Sequence, residues 1–182
     1  MGAISCCRAW DTINKLYSLS KELEVQFGIM VVGNSENYYQ TSDNKINAPN
    51  QFEINIRQLI KKELRTLSIR KWGKVIYMNE LIRYIQGKIV TLHCPAASKF
   101  FFMKPSGEIF GCNMRDTLLG NLSKTSFDDI WLSKEAKKER KIVQHCPTPC
   151  WTMCNAKSII LDHLPKYFAR FIWNLPLNLI ER

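Results

Sequence analysis

The sequence predicts an α+β fold, and three observations predict it. Apolar residues recur at helical spacing over residues 11–24, 52–67 and 78–85. A nearly all-apolar run, VQFGIMVV (25–32), reads as a strand. A third stretch, CPAASKFFFMKPSGEIFGC (94–112), reads as a small hairpin with a cysteine at each end.

The first helix is expected from Asp11, a candidate N-cap, to Glu24, with Ile13, Leu16, Tyr17 and Leu23 on one face. The apolar run that follows, flanked by Gly33 and Asn34, suits a strand covered on both faces of a parallel sheet. Helix plus buried strand is one unit of an α/β fold, and it has no sheet partner in the chain. Residues 33–50, GNSENYYQTSDNKINAPN, form a polar loop of the length that covers a site. Phe52, Ile56, Leu59, Ile60, Leu64 and Leu67 then mark a helix, as do Met78, Leu81, Ile82 and Ile85, which stop near Gly87. Arg57, Lys61, Lys62, Arg65, Arg70, Lys71 and Lys74 lie along this helix pair. Such a basic stretch suits either phosphate binding or, more commonly, a solvated face.

In the hairpin, Phe100 to Met103 form the first arm, Lys104-Pro105-Ser106-Gly107 the turn, and Glu108-Ile109-Phe110 the return. Ser126-x-x-Asp129 begins a helix carrying Phe127, Ile130 and Trp131, with a break expected at Ser133 before the charged KEAKKERKIVQ. The C-terminal DHLPKYFARFIWNLPLNLIER is aromatic and basic, with core packing as its expected role and a docking or membrane-surface role as the alternative.

Composition narrows the function. The 182 residues carry 26 basic and 16 acidic side chains, a net charge of +10, which suits an anionic partner without selecting one. No segment reaches the roughly 18 apolar residues of a spanning helix, and MGAISCCRAW has no signal-peptide shape, so a cytoplasmic location is expected. Gly2 with Cys6 and Cys7 suggests acylation, but cysteine stands at position 6, where a myristoylation signal has Ser or Thr.

Five of the seven cysteines, Cys94, Cys112, Cys146, Cys150 and Cys154, fall within 61 residues. Without a secretory signal, such clustering points to metal ligation or redox chemistry rather than disulfides. Thiolates select zinc, copper(I) or iron–sulfur clusters. A zinc ribbon presents two Cys-x-x-Cys knuckles, which this sequence lacks; its wide spacing suits a bulkier cluster.

Cys94-x12-Gly107-x4-Cys112, followed by LGNL, SFDDIW, a charged helix and CPTPCWTMC, resembles the SPASM/Twitch auxiliary-cluster domain of radical SAM enzymes. The residues from Asp11 to Tyr39, with VVGNSENYY, are similar to the last helix, strand and loop of such an enzyme's partial TIM-type barrel. The resemblance implies a barrel remnant with bridging helices over 1–91, the iron–sulfur domain over 92–156, and a helical tail over 157–182. It also implies one auxiliary [4Fe–4S] cluster held by Cys94, Cys112 and Cys154, with Cys146 or Cys150 as the fourth ligand. Pro147 and Pro149 would stiffen that loop and Trp151 shield the cluster.

The Cys-x3-Cys-x2-Cys motif that binds S-adenosylmethionine in this family is absent from the 182 residues, and Cys146-x3-Cys150-x3-Cys154 only imitates it. The resemblance therefore implies the C-terminal region of a radical SAM protein, not competent alone. Its partners would be a radical SAM barrel, a reductant such as flavodoxin or ferredoxin, and a peptide or small-molecule substrate. S-adenosylmethionine and a second cluster would belong to the complete enzyme. Two other functions are open: a zinc-stapled basic module binding nucleic acid, which is the less expected partner, and an electron carrier docking on a separate catalytic chain.

Overall fold

A computed structural model describes residues 6–31, 48–65, 69–88, 94–146 and 150–180. The expected loop over 33–50, Leu67, Pro147 and Pro149 lie wholly or largely outside these residues. The described residues hold seven helices and a three-stranded antiparallel sheet, in agreement with an α+β fold.

The helical part begins with α1 (Cys6–Glu22), α2 (Pro49–Leu64) and α3 (Ile69–Ile85). Its core gathers Tyr17 of α1 and Val75 of α3 with Ile56, Leu59, Ile60, Met78, Leu81 and Ile82, six of the positions that helical periodicity marks on α2 and α3. Proline at the start of α2 suits a position whose N–H has no intrahelical partner. Gly87, at φ +68°, ends α3 as expected. The Lys88 N–H bonds Arg83 O and the Gly87 N–H bonds Tyr84 O, the paired closure of a Schellman motif. The same two bonds close α1, from Val25 to Ser20 and from Glu24 to Lys21. There the left-handed position is held by Glu24, at φ +53°, where the side chain costs energy that glycine would not.

Three expectations for the N-terminal region are corrected. Asp11 is not an N-cap, because α1 starts at Cys6 and Asp11 lies inside it. Of the predicted face, Tyr17 is buried but Leu16 and Leu23 are exposed. The run expected as a doubly covered strand forms no strand over its described residues, 25–31. Phe27, Ile29 and Val31 pack on the helical core while Val25 and Met30 face outward. The alternation is that of an extended segment covered on one side only. Among the described residues, the region expected as a barrel remnant holds α1, α2 and α3 and no strand.

The second part is the hairpin of β1 (Phe102–Met103) and β2 (Glu108–Phe110), extended by β3 (Leu118–Asn121). The Gly107 N–H bonds Lys104 O, and Lys104 N–H bonds Glu108 O, with Gly107 at φ +85°. This is a turn closed by a left-handed glycine, as Pro-Ser-Gly predicts. β3 was not legible as a strand because Leu-Leu-Gly-Asn is too short to show a period. Gly120 in it is required by packing: a Cβ there would lie 2.7 Å from Ile130 Cγ1.

α4 (Phe127–Leu132) and α5 (Lys134–Gln144) follow, and Ser133 ends one and starts the other, as expected. Ser126 Oγ accepts from Asp129 N–H at the start of α4, and Ser133 Oγ from Ala136 N–H at the start of α5. The chain closes with α6 (Met153–Asp162) and α7 (Leu164–Ile180). Tyr167 and Phe171 of α7 join the helical core, the expected packing role, while Leu164, Phe168, Ile172 and Trp173 stay exposed. No helix among the described residues is long and apolar enough to cross a membrane.

Candidate metal centre

Each cysteine of the candidate site is delivered by a different local device. Cys94 precedes a tight turn in which Ala97 N–H bonds Phe100 O, with Ala97 at φ +59°. Arg140 of α5 pins that turn by donating from Nε to Ala97 O at 2.8 Å. Its guanidinium lies 4.5 Å from the Trp131 ring, which fixes its direction. Cys112 follows β2, immediately after Gly111. A Cβ on Gly111 would stand 2.9 Å from the Ala97 Cβ and 3.0 Å from Glu139 Cγ. Only the bare backbone lets the two cysteine-bearing segments approach this closely. Cys146 leaves the end of α5, where its N–H bonds Val143 O.

Ala96, Cys112 and Val143 form a small buried cluster, with Cys94, Phe100 and Met114 packed against it. Cys94 and Cys112 therefore stand on an apolar bed. None of the five is cross-linked in a disulfide. Cys112 is buried, Cys94, Cys146 and Cys150 are half-buried, and Cys154 is exposed at the start of α6.

Burial and mutual charge act on the thiols in one direction. Burial pushes the Cys94 thiol up, and Cys146 adds to it. Burial also raises Cys112, with Cys94 and Cys146 adding. Cys150 is pushed up to about 12, first by burial and then by Cys112, Cys94 and Cys146. Cys94, Cys112, Cys146 and Cys150 thus form one mutually repelling set if ionised, and Cys154 is not among the groups acting on it. The resemblance implies Cys154 as a ligand with Cys146 or Cys150 as the fourth; in the structure the Asn155 amide links Cys150 to Cys94.

Hydrogen-bond donors already face these sulfurs. Met114 N–H points at Cys112 Sγ at 3.3 Å, and Asn155 Nδ2 at Cys150 Sγ at 2.7 Å. The Cys94 thiol donates to Asn155 Oδ1 at 3.6 Å. Nothing in the sequence singled out Asn155; its one signal was its place beside Cys154. Arg115 and Glu139 close one side of the site, Nε to Oε1 at 2.7 Å, and the pair raises the Arg115 guanidinium, with Cys146 and Cys112 contributing less. Glu139 Oε2 is buried without a partner. Tyr84 of α3 borders Cys150: burial raises its phenol and Cys150 adds to it.

Trp151, expected as a shield, is buried beside Cys150 and also acts as a tie. Its ring stacks on Tyr77 at 6.3 Å and its Nε1 donates to Tyr77 O, which fastens the cysteine loop to α3.

The donor set fits an iron–sulfur group: four soft thiols, two of them on an apolar bed, with N–H groups aimed at sulfur. The raised pKa values of Cys94, Cys112 and Cys150 express the same fit, since anionic sulfur here lacks the cation that ligation would supply. Among the described residues, no three of His, Cys, Asp or Glu are placed to hold a single metal ion. The fit rests on the donors and their surroundings rather than on preformed coordination.

Part of the basic stretch of α2 and α3 is engaged internally. Lys74 and Lys21 both reach the buried Glu63, at 2.7 and 3.1 Å, and Arg57 pairs with Glu53. Burial pushes the Glu63 carboxyl up, but Lys74 and Lys21 together hold it below its usual value.

Residues 94–155 match the family model of SPASM, an iron–sulfur cluster-binding domain. This stretch is a SPASM-type domain, and it contains all five cysteines of the candidate site. No curated protein and no solved structure matches the chain.

Proposed function

We propose that this chain serves as the auxiliary-cluster region of a radical SAM enzyme, holding one [4Fe–4S] cluster through Cys94, Cys112, Cys146 and Cys150. The observation that carries the reading is the match of residues 94–155 to the SPASM domain, supported by the amide of Asn155, which reaches both Cys150 and Cys94. When bound, such a cluster supplies one-electron redox chemistry next to a substrate or a second redox centre. The protein's part is to hold the sulfurs on a water-poor bed, to direct N–H groups at them, and to fix the loop through Trp151. Cys154, exposed at the start of α6, stands outside this ligand set.

S-adenosylmethionine cleavage would be supplied from outside these 182 residues, either by further chain or by a separate subunit. A flavodoxin or ferredoxin would be the electron donor, and a peptide or small molecule the substrate.

The test is anaerobic reconstitution of residues 1–182 with iron and sulfide, followed by iron and sulfide counts and an absorption spectrum. About four irons and four sulfides per chain are expected, lost in Cys94→Ala, Cys112→Ala and Cys150→Ala and retained in Cys154→Ala. Loss in Cys154→Ala with retention in Cys150→Ala would restore the ligand set implied by resemblance. Stoichiometric zinc without sulfide-dependent colour would reject the iron–sulfur reading altogether.

A further inference from the structure

Asn155 touches the thiol group at both ends of its amide. It lies in the first turn of α6 and is 2% exposed. Its backbone N–H is held by Thr152 Oγ1 at 3.5 Å, so the residue's position follows from the helix cap. A buried primary amide is costly unless its donors and acceptor are met. Asn155 directs both ends at sulfur, Nδ2 to Cys150 at 2.7 Å and Oδ1 to Cys94 at 3.6 Å.

The two ends favour different states of the sulfur they meet. The N–H donor stabilises negative charge on Cys150 Sγ. The oxygen accepts from the Cys94 thiol and needs the hydrogen that ligation would remove. Ligation of both cysteines would leave the oxygen opposite anionic sulfur, while the N–H contact to Cys150 would strengthen.

Resting on the reading of these thiols as cluster ligands, we infer that Asn155 is a positioning residue. Its amide keeps an N–H on Cys150 Sγ and turns its oxygen off Cys94 when metal is loaded. A hydrogen bond to a coordinated sulfur draws charge from it, which favours the reduced, more negative cluster and raises the reduction potential.

The experiment uses the full chain, loaded anaerobically with iron and sulfide, as wild type, Asn155→Leu and Asn155→Asp. Both replacements are close in size to asparagine; one removes both polar ends and the other replaces the donor with a carboxylate oxygen. Far-ultraviolet circular dichroism verifies folding. At a fixed mediator potential, the reduced-to-oxidised ratio is expected to fall about tenfold in Asn155→Leu, equivalent to about 59 mV for one electron, and further in Asn155→Asp. Folded variants that fail to load while wild type loads also support the role, because every thiol is intact. Equal loading with unchanged potential in both variants overturns it. A wild-type chain that takes up no iron and sulfide overturns the cluster reading itself, and this inference with it.

Discussion

In the helical core, a carboxylate that leaves water meets a cation. Glu63, with a side chain 1% exposed, lies between Lys74 and Lys21, and Glu80 of α3 accepts two bonds at 2.8 Å from Arg170 of α7. Tyr17 completes the first group: burial raises its phenol, Glu63 adds to it, and Lys21 lies 4.8 Å over its ring. In the SPASM-type region Glu139 is likewise paired, with Arg115, but the thiols that leave water add to one another's charge instead of meeting a cation. A paired charge contributes to the stability of the fold that pairs it. A set of desolvated thiols contributes only when something positive joins it. The contrast separates a scaffold complete in itself from a site built for an added group.

The contrast can be tested, beginning with the largest effect. Gly111→Ala drives a methyl group into Ala97 and Glu139 and pushes Cys112 away from the Cys94 turn. A loss of about 3 kcal/mol is expected from overpacking, with iron uptake well below half of wild type; urea unfolding and iron analysis measure the two. Glu63→Ala strikes the scaffold and leaves the site alone. It strands a half-buried Lys74 and is expected to cost about 2 kcal/mol, below the range for a fully buried pair because both lysines reach water. Iron uptake should be unchanged, and a variant that lost iron as well would merge the two regions into one unit.

Titration sharpens the same comparison through one group of each region, Glu63 and Cys150, which titrate at opposite ends of the pH range. The folded pKa of Glu63 lies below its unfolded value. Its contribution is therefore present above the unfolded pKa, about 4.3, and is lost as pH falls through the folded value. For Cys150 the folded pKa, about 12, lies above the ordinary value of 9.0, so the iron-free chain loses stability as pH rises between them. Glu63→Gln should flatten the acid limb of a stability–pH curve, and Cys150→Ser the alkaline limb. The smallest effect is at the end of α1, where Glu24→Gly relieves a left-handed side chain and should gain about 0.5 kcal/mol in thermal unfolding.

The elements legible in the sequence were those whose signal is local. Met78, Leu81, Ile82 and Ile85 repeat with the period of the helix they form, and Pro105-Ser106-Gly107 states a turn that glycine alone closes cheaply. The SPASM resemblance was legible for the same reason, since the spacing of Cys94, Gly107 and Cys112 is a property of one hairpin. The misread strand was ambiguous from the start: an apolar run fits a covered strand as well as a single extended segment lying on helices, and only tertiary packing decides. Asp11 looked like a cap because the helical turn before it, from Cys6, carries no clear apolar stripe. Which thiols meet, and that Asn155 reaches two of them, depends on how α6 settles against the hairpin, and no spacing encodes that.

The two tryptophans that frame this last region differ in a way that makes the protein its own optical reporter. Trp151 adjoins Cys150 and is stacked in the core, whereas Trp173 is 81% exposed on α7. Its emission should be blue-shifted relative to that of Trp173, and a coloured cluster beside it should dim that component first. Iodide in the buffer, in contrast, should quench Trp173. With Trp10, Trp72 and Trp131 replaced by phenylalanine, the ratio of the two components would follow loading of the site in real time, without a label.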